Sequence, residues 1–259
     1  MKAYCINLDR RPDRLEHMLG EAGRAGFAFQ RVAAVDGSDP AVIARAREDG
    51  ERSGIGVIGP GAYGCFQSHR KVWQRLLASG ERWAMVLEDD MRLAPDFGRY
   101  LEEGWIPADA DLVRLETFGT RVHLDKGPGR EAGPRRLHVM RSTHLGCGAY
   151  VVGASAAATL LEASETIRVP ADWVLFGVGT PAHPALRVYQ MVESPAIQGK
   201  RAGGAAGDAA WSATSIEQRR GDGPDDLARE TRLQRLGRRA REELRALAGG
   251  TRYRTVGFG

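Results

Sequence analysis

Ala84-Met85-Val86-Leu87-Glu88-Asp89-Asp90 is an apolar run that stops in three consecutive acids. Gly80 ends the helical pattern before it, so Trp83 to Leu87 reads as a buried strand. Carboxylates do not gather at a buried strand end for stability, because like charges repel and loss of water raises their pKa. A hard divalent cation with a phosphorylated ligand would relieve that cost, since Mg²⁺ and Mn²⁺ take oxygen ligands and neutralise phosphate. The carboxyl end of a strand is also where open α/β sheets place ligands. The competing reading is a solvated turn that merely closes the strand.

Outward from this strand, apolar runs and helical periodicities alternate. Lys2 to Leu8 reads as a short buried strand broken at Asp9-Arg10-Arg11-Pro12, where Pro12 suits the first turn of a helix. Leu15, Met18 and Leu19 fall at i, i+3, i+4 and give that helix one apolar face. Phe27 to Val35 predicts a second strand closed by Asp36-Gly37, and residues 38–60 predict a helix followed by a mobile loop. Tyr63 to Ala78 predicts a long helix with Phe66, Val72, Trp73, Leu76 and Leu77 as core positions. Asp96 to Glu103 reads as a short helix, Asp111 to Leu115 and Ala149 to Val152 as strands, and Ala154 to Ala163 as a helix. This order predicts an α/β fold, a mostly parallel sheet flanked by helices. Gly199 to Ala210 lacks large apolar side chains and reads as flexible, while Asp225 to Leu247 has leucines recurring along one side of a helix. The expected organisation is an α/β domain over residues 1–198, a flexible segment over 199–224, and a basic amphipathic helix and tail over 225–259.

With 259 residues and 42% hydrophobic content, the chain is long enough to bury a substantial core. The net charge of +4 is mild. Cys5, Cys65 and Cys147 are too few and too scattered for a disulfide framework or a Cys-rich zinc site, so reduced thiols of a cytoplasmic protein are expected. The start MKAYCINLDRRPDR has no secretory apolar region, and no run approaches the ~20 residues that span a bilayer. The arginines are not interleaved with aromatics on a recognisable platform, so no nucleic-acid partner is expected.

Three further stretches carry polar chemistry. In Asn7-Leu8-Asp9-Arg10-Arg11-Pro12-Asp13-Arg14, polar groups at a strand end meet a helix start, a natural nucleotide site. Asn7 is placed to bond a base or ribose, and Arg10 or Arg14 to pair with phosphate. The alternative pairs these arginines with Asp9, Asp13 and Glu16 around a capped helix. In Gly64-Cys65-Phe66-Gln67-Ser68-His69, small residues at a helix start allow close approach of an anion, and Ser68 and His69 are candidate ligand contacts. The alternative is a histidine satisfied inside the core. In Pro170-Ala171-Asp172-Trp173, Asp172 is a candidate general base if the fold carries it to the acidic strand end. Its alternative is a helix N-cap.

Taken in order, INLDRRPDR, GCFQSHRKVW, WAMVLEDD, GAYVVGASAAATLL and PAD resemble glycosyltransferase family 25, which includes bacterial lipopolysaccharide galactosyltransferases and animal collagen galactosyltransferases. The resemblance runs from about Ala3 to about Ser194. It implies a GT-A-like fold, a nucleotide-sugar donor of the UDP-hexose type, UDP-galactose foremost, a divalent metal, Mn²⁺ or Mg²⁺, and an inverting mechanism. By the same resemblance Glu88-Asp89-Asp90 stands where the family's DxD-like acids stand, with Asp90 and Glu88 as metal ligands and Glu88 and Asp89 facing the donor. Asn7, Arg10 and Arg14 fall on the nucleotide side, Ser68 and His69 in the GC..SH motif, and Asp172 at the base position. The implied acceptor is a cell-surface glycan such as lipopolysaccharide.

Two rival readings remain from other classes. Paired acids with a metal also serve a phosphatase or phosphotransferase, although a phosphoryl-carrying Asp usually ends an early strand, here the acids follow roughly a third of the chain, and no phosphate-loop glycine pattern is present. The acids could instead cap a strand in a non-catalytic membrane-associated module. Six arginines between Arg229 and Arg241 face one acid, Glu230. That face suits peripheral contact with an anionic inner membrane surface near a lipid-linked acceptor. Packing of the leucines on the domain, with solvated arginines, is the alternative.

Overall fold

Residues 1–53, 58–202 and 250–259 are described by the structure, a computed structural model. β1 (Lys2–Asn7) leads into α1 (Pro12–Arg24) and β2 (Gln30–Ala33). α2 (Pro40–Ser53) and α3 (Pro60–Ser79) precede β3 (Trp83–Glu88) and β4 (Met91–Leu93). Gly80, at φ +70°, ends α3 in the left-handed conformation that a residue without a Cβ adopts at no cost. After a 3₁₀ turn at Phe97–Leu101 come β5 (Leu112–Arg114), β6 (Glu116–Thr117), β7 (Arg121–Asp125), β8 (Arg130–Ala132) and β9 (Arg135–Val139). β10 (Ala149–Gly153), α4 (Ala154–Ala163), α5 (Ala171–Phe176), β11 (Val188–Val192), β12 (Ala196–Gln198) and α6 (Gly199–Ala202) follow. β13 (Thr251–Thr255) lies near the end.

Eight strands form one sheet in the order β2-β1-β3-β10-β5-β11-β9-β8. Six run in one direction, and β10 and β9 oppose them, so the sheet is the mostly parallel one expected. β10 has the larger consequence. Because it runs against β3, with Ala149 opposite Leu87, the segment leading into β10 lies beside the acidic end of β3. A second sheet, β4-β12-β6, and the pair β13-β7 complete the strands.

Each face of the large sheet carries its own core. Trp83, Met85 and Leu87 pack with Met18, Phe97 and Tyr100, while Ala84 and Val86 pack with Phe66, Trp73 and Leu76 of α3. This alternation is the period of two that a strand buried on both faces must show. Two expected core positions face water instead: Leu19 is 57% exposed and Leu77 is 42% exposed. In α1 the inner face is taken by Arg14, Met18, Glu21 and Ala22, because Arg14 and Glu21 have partners there. In α3 the buried row of Phe66, His69, Val72, Trp73 and Leu76 leaves Leu77 beyond its edge.

The second strand is shorter than the predicted Phe27 to Val35, since the pairing with β1 covers Gln30 to Ala33 alone. Gly199–Ala202, expected as the start of a flexible segment, is a short helix whose Gly199 N–H donates to the Asp90 carbonyl at 2.8 Å. The last ten residues return to the domain, as β13 pairs with β7 and Val256 is fully buried. The expected helix at 225–247, its arginines, and most of the segment 199–224 lie outside the described residues. No described helix is long and apolar enough to cross a membrane.

Candidate active site

The period of two in β3 decides where its acids point. Glu88 shares the face of Ala84 and Val86, so it turns toward α3. There His69 Nε2 lies 3.2 Å from its Oε1, and the Cys65 and Cys147 thiols approach the same oxygen at 3.6 and 3.5 Å. Gln198 Nε2 reaches Oε2 at 3.4 Å. Burial works against the Glu88 carboxylate, but the hydrogen bonds from His69 and the two thiols outweigh it and hold its pKa below the usual range. Gly64 lets α3 come this close to the loop after β2, because a Cβ there would sit 2.5 Å from the Val35 carbonyl oxygen.

Asp89 turns the other way. Its Oδ2 accepts from Asn7 Nδ2 at 2.8 Å and its Oδ1 from Arg14 Nη1 at 2.7 Å, both within the protein. Asn7 Nδ2 also donates to the Arg11 carbonyl, and Asn7 Oδ1 accepts from Arg31 Nε at 2.9 Å. The ends of β1 and β3 are thereby clamped together.

Asp90 is buried, and its Oδ1 has no hydrogen-bond partner among the described residues. Burial pushes its pKa up to about 7, aided by the charges of Glu88 and Asp89 and opposed by Arg14 and Lys200. Glu116, the first residue of β6, is fully buried and repeats the pattern. Its Oε1 accepts the Gly148 N–H at 2.8 Å, while its Oε2 lacks a partner among the described residues. Burial and the charge of Glu88 push it up to about 7, against the pull of Arg114. Asp172, at the start of α5, accepts the Gly146 N–H on Oδ2 at 3.1 Å and leaves a buried Oδ1 without a partner among the described residues. Burial, with Glu88 nearby, raises its pKa, and the Gly146 hydrogen bond partly offsets this.

Gly146-Cys147-Gly148 is the spine that joins these acids. It gives one N–H to Asp172, a thiol to Glu88 and one N–H to Glu116, and the Gly148 carbonyl accepts the Glu88 N–H at 2.8 Å. Behind it, Arg114 is fully buried and donates to the carbonyls of Leu145 and Glu116 and to His144 Nδ1. Burial and the Arg114 charge push the His144 pKa down to about 3. The unfolded chain takes up that proton near the ordinary histidine value of ~6.5 and the folded chain does not. Stability should therefore fall as pH drops from about 6.5 toward 3, by at most about 1.4 kcal/mol per pH unit from this one site. His144→Gln, which keeps an acceptor for Arg114, should flatten the fall. Urea midpoints between pH 7 and 4.5 measure it, and parallel profiles for the two proteins would contradict the assignment.

The fold brings Glu88, Asp90, His69 and Asp172 to one edge and places the other expected residues differently. Arg10 is half-exposed and pairs with Asp36 at 2.6 Å, a hydrogen bond that lowers the Asp36 pKa to about 2. Arg14 and Asn7 both hold Asp89, one on each carboxylate oxygen. Ser68 Oγ donates to the Gly64 carbonyl and accepts the Val35 N–H, so it fastens α3 to the loop after β2. Asp172 is not an N-cap, a position that Pro170 holds. The cysteines are free thiols as expected, but folding gathers two of the three around His69 and Glu88. Glu116 and Gln198 went unread in the sequence. Glu116 follows the apolar run Leu112-Val113 as Glu88 follows Val86-Leu87, with Arg114 and Leu115 between, and the same strand-end argument applies to it.

Comparison with known proteins identifies the family. The sequence profile described as "Glycosyltransferase family 25 (LPS biosynthesis protein)" matches residues 1–175. The chain is similar to the lacto-N-neotetraose biosynthesis glycosyltransferase LgtB of Neisseria meningitidis serogroup A, at 27% identity over 68% of this chain and 67% of that protein. It is similar to a glycosyltransferase 25 family member of Aedes aegypti, at 35% identity over 65% of this chain and 29% of that one. The matched stretch thus spans about two thirds of the neisserial relative and less than a third of the insect one. A solved glycosyltransferase involved in glycosylating the major capsid of PBCV-1 superposes with a TM-score of 0.36 at 7% identity, covering 73% of this chain and 79% of that one, a likeness too slight to carry an argument. The profile covers well over half of the chain, and the motifs inside it build the edge described above: this chain belongs to glycosyltransferase family 25 and is a glycosyltransferase.

Proposed function

We propose that this enzyme transfers a hexose, galactose foremost, from a UDP-sugar to a cell-surface glycan such as lipopolysaccharide, with inversion and with Mn²⁺ or Mg²⁺ bound. The observation that carries the proposal is a group of buried oxygens without hydrogen-bond partners among the described residues: Asp90 Oδ1, Glu116 Oε2, Gln198 Oε1 and Asp172 Oδ1. Orphaned buried acceptors are costly unless something positive or hydrogen-bonding faces them. Their chemistry, carboxylate and amide oxygen, suits a hard divalent cation. Asp90 is the first ligand on this reading, Glu88 offers its Oε2, and Glu116 adds an acid beyond those expected. Such a cation would neutralise charge on the departing diphosphate.

The remaining work falls to the chain's own groups. Asn7 and Arg14 hold Asp89 in place, and Arg31 and Arg11 hold Asn7. Asp172 accepts the acceptor hydroxyl proton as that oxygen bonds to the anomeric carbon and the bond to the diphosphate oxygen breaks. A buried carboxylate with a raised pKa is suited to that task, because it takes a proton more readily than one in water. Similarity to a lacto-N-neotetraose biosynthesis glycosyltransferase supports the choice of a glycan acceptor.

Calorimetric titration with a panel of sugar nucleotides tests the donor. UDP-galactose should bind more tightly than GDP-mannose or a CMP-sugar, and preference for either of the latter would refute the donor assignment.

A further inference from the structure

We propose that Cys65, His69, Glu88 and Cys147 form a binding site for a soft divalent cation of the zinc class, behind the acids of the catalytic edge. One atom from each of the four lies within 4.8 Å of every other. The edges involving Glu88 Oε1 are 3.2 Å to His69 Nε2, 3.6 Å to the Cys65 sulfur and 3.5 Å to the Cys147 sulfur. Zinc takes sulfur at ~2.3 Å and nitrogen or oxygen at ~2.0–2.1 Å in a tetrahedron, which sets N···O edges of about 3.3 Å and S···O edges of about 3.5 Å. The three edges from Glu88 Oε1 thus already match those of a zinc tetrahedron, and the other three lie within 4.8 Å.

Residue chemistry separates this cluster from the oxygen group around Asp90. Two thiols and an imidazole are soft ligands that select zinc-class ions, and Mg²⁺ and Mn²⁺ take oxygen. Three donor groups also converge on one Glu88 oxygen, a crowding that a central cation removes. Outside the cluster, His69 Nδ1 lies 2.9 Å from the Tyr150 hydroxyl, which accepts the Trp73 indole N–H at 2.9 Å. A metal-bound histidine characteristically has such a partner on its other ring nitrogen. On loading, the two thiols release their protons to solvent. His69 binds through Nε2 and carries its ring proton on Nδ1, toward Tyr150.

The ion would tie together three pieces of chain. Cys65 and His69 lie one turn apart on α3, Glu88 ends β3, and Cys147 belongs to the segment that positions Asp172 and Glu116. Its role is to fix the floor beneath the reacting groups. The inference does not depend on the donor or on the hard cation.

Cobalt(II) titration of the reduced full chain, followed by absorption, tests it. One equivalent of Co²⁺ should give a thiolate-to-cobalt charge-transfer band with visible bands of tetrahedral strength. One equivalent of Zn²⁺ should abolish both, and excess Mg²⁺ should leave them. An oxygen-only site produces no thiolate band, so this readout is blind to the cation proposed at Asp90. Cys5→Ala should retain the signal, because Cys5 belongs to the core on the opposite face. Cys147→Ser should lose about half of the charge-transfer intensity, since one of two thiolates remains. Absence of a thiolate band in the wild-type chain would overturn the proposal without recourse to any variant. A band that survives Cys65→Ser and Cys147→Ser together would do the same.

Discussion

Asp90→Asn is expected to lower turnover by about 10³-fold or more while leaving the fold intact. A bound cation contributes several kcal/mol of charge stabilisation in the transition state, and each ~1.4 kcal/mol is a factor of ten. Asn keeps the shape of Asp and removes the charge that would attract the metal. The neighbouring structure does not depend on that charge, because Asp90 holds α6 through its backbone carbonyl and its carboxylate stands 3.6 Å from Arg14. Far-UV circular dichroism and the urea midpoint should therefore stay close to those of the wild type. Mn²⁺ binding, followed by electron paramagnetic resonance, should weaken in parallel with turnover. A variant that keeps both Mn²⁺ affinity and turnover would remove Asp90 from the metal site.

Asp172→Asn should depress kcat by about 10²–10⁴-fold, the usual contribution of a positioned base, with donor affinity nearly unchanged. The separation follows from the geometry. Asn can still accept the Gly146 N–H through its amide oxygen, so the 146–148 segment keeps its anchor, and only the capacity to take a proton is lost. Single-turnover kinetics with calorimetry of donor binding measures both halves. A large loss of donor binding with kcat preserved would make Asp172 a donor ligand in place of a base.

The sheet was legible because its strands obey a simple rule. Trp83 to Leu87 is apolar at every position, as a strand covered on both faces must be, and the helices beside it carry capping signals such as Pro12 and Gly80. The same alternation, taken one residue further, assigns Glu88 to the α3 side and so to His69. What the sequence hides is contact between distant segments. Cys65 and Cys147 are far apart in the chain and meet because β10 runs against β3, and nothing local announces that direction. Arg14 illustrates the same limit. An arginine on a helix start looks ready for phosphate, yet an acid from another strand claims it, and pairing of that kind is settled by folding. Leu77 fails for a gentler reason, because a continuous apolar stretch contains more leucines than a helix has buried positions.

Product analysis tests the central claim most directly. The enzyme is incubated with UDP-galactose and a glycan acceptor, with Mn²⁺ or with excess chelator, and released UDP and inorganic phosphate are quantified together. The expected result is UDP in step with glycosylated acceptor, only when the metal is present, and no phosphate. Undiminished UDP release in chelator would contradict the metal, and release of inorganic phosphate without sugar transfer would contradict the reaction itself.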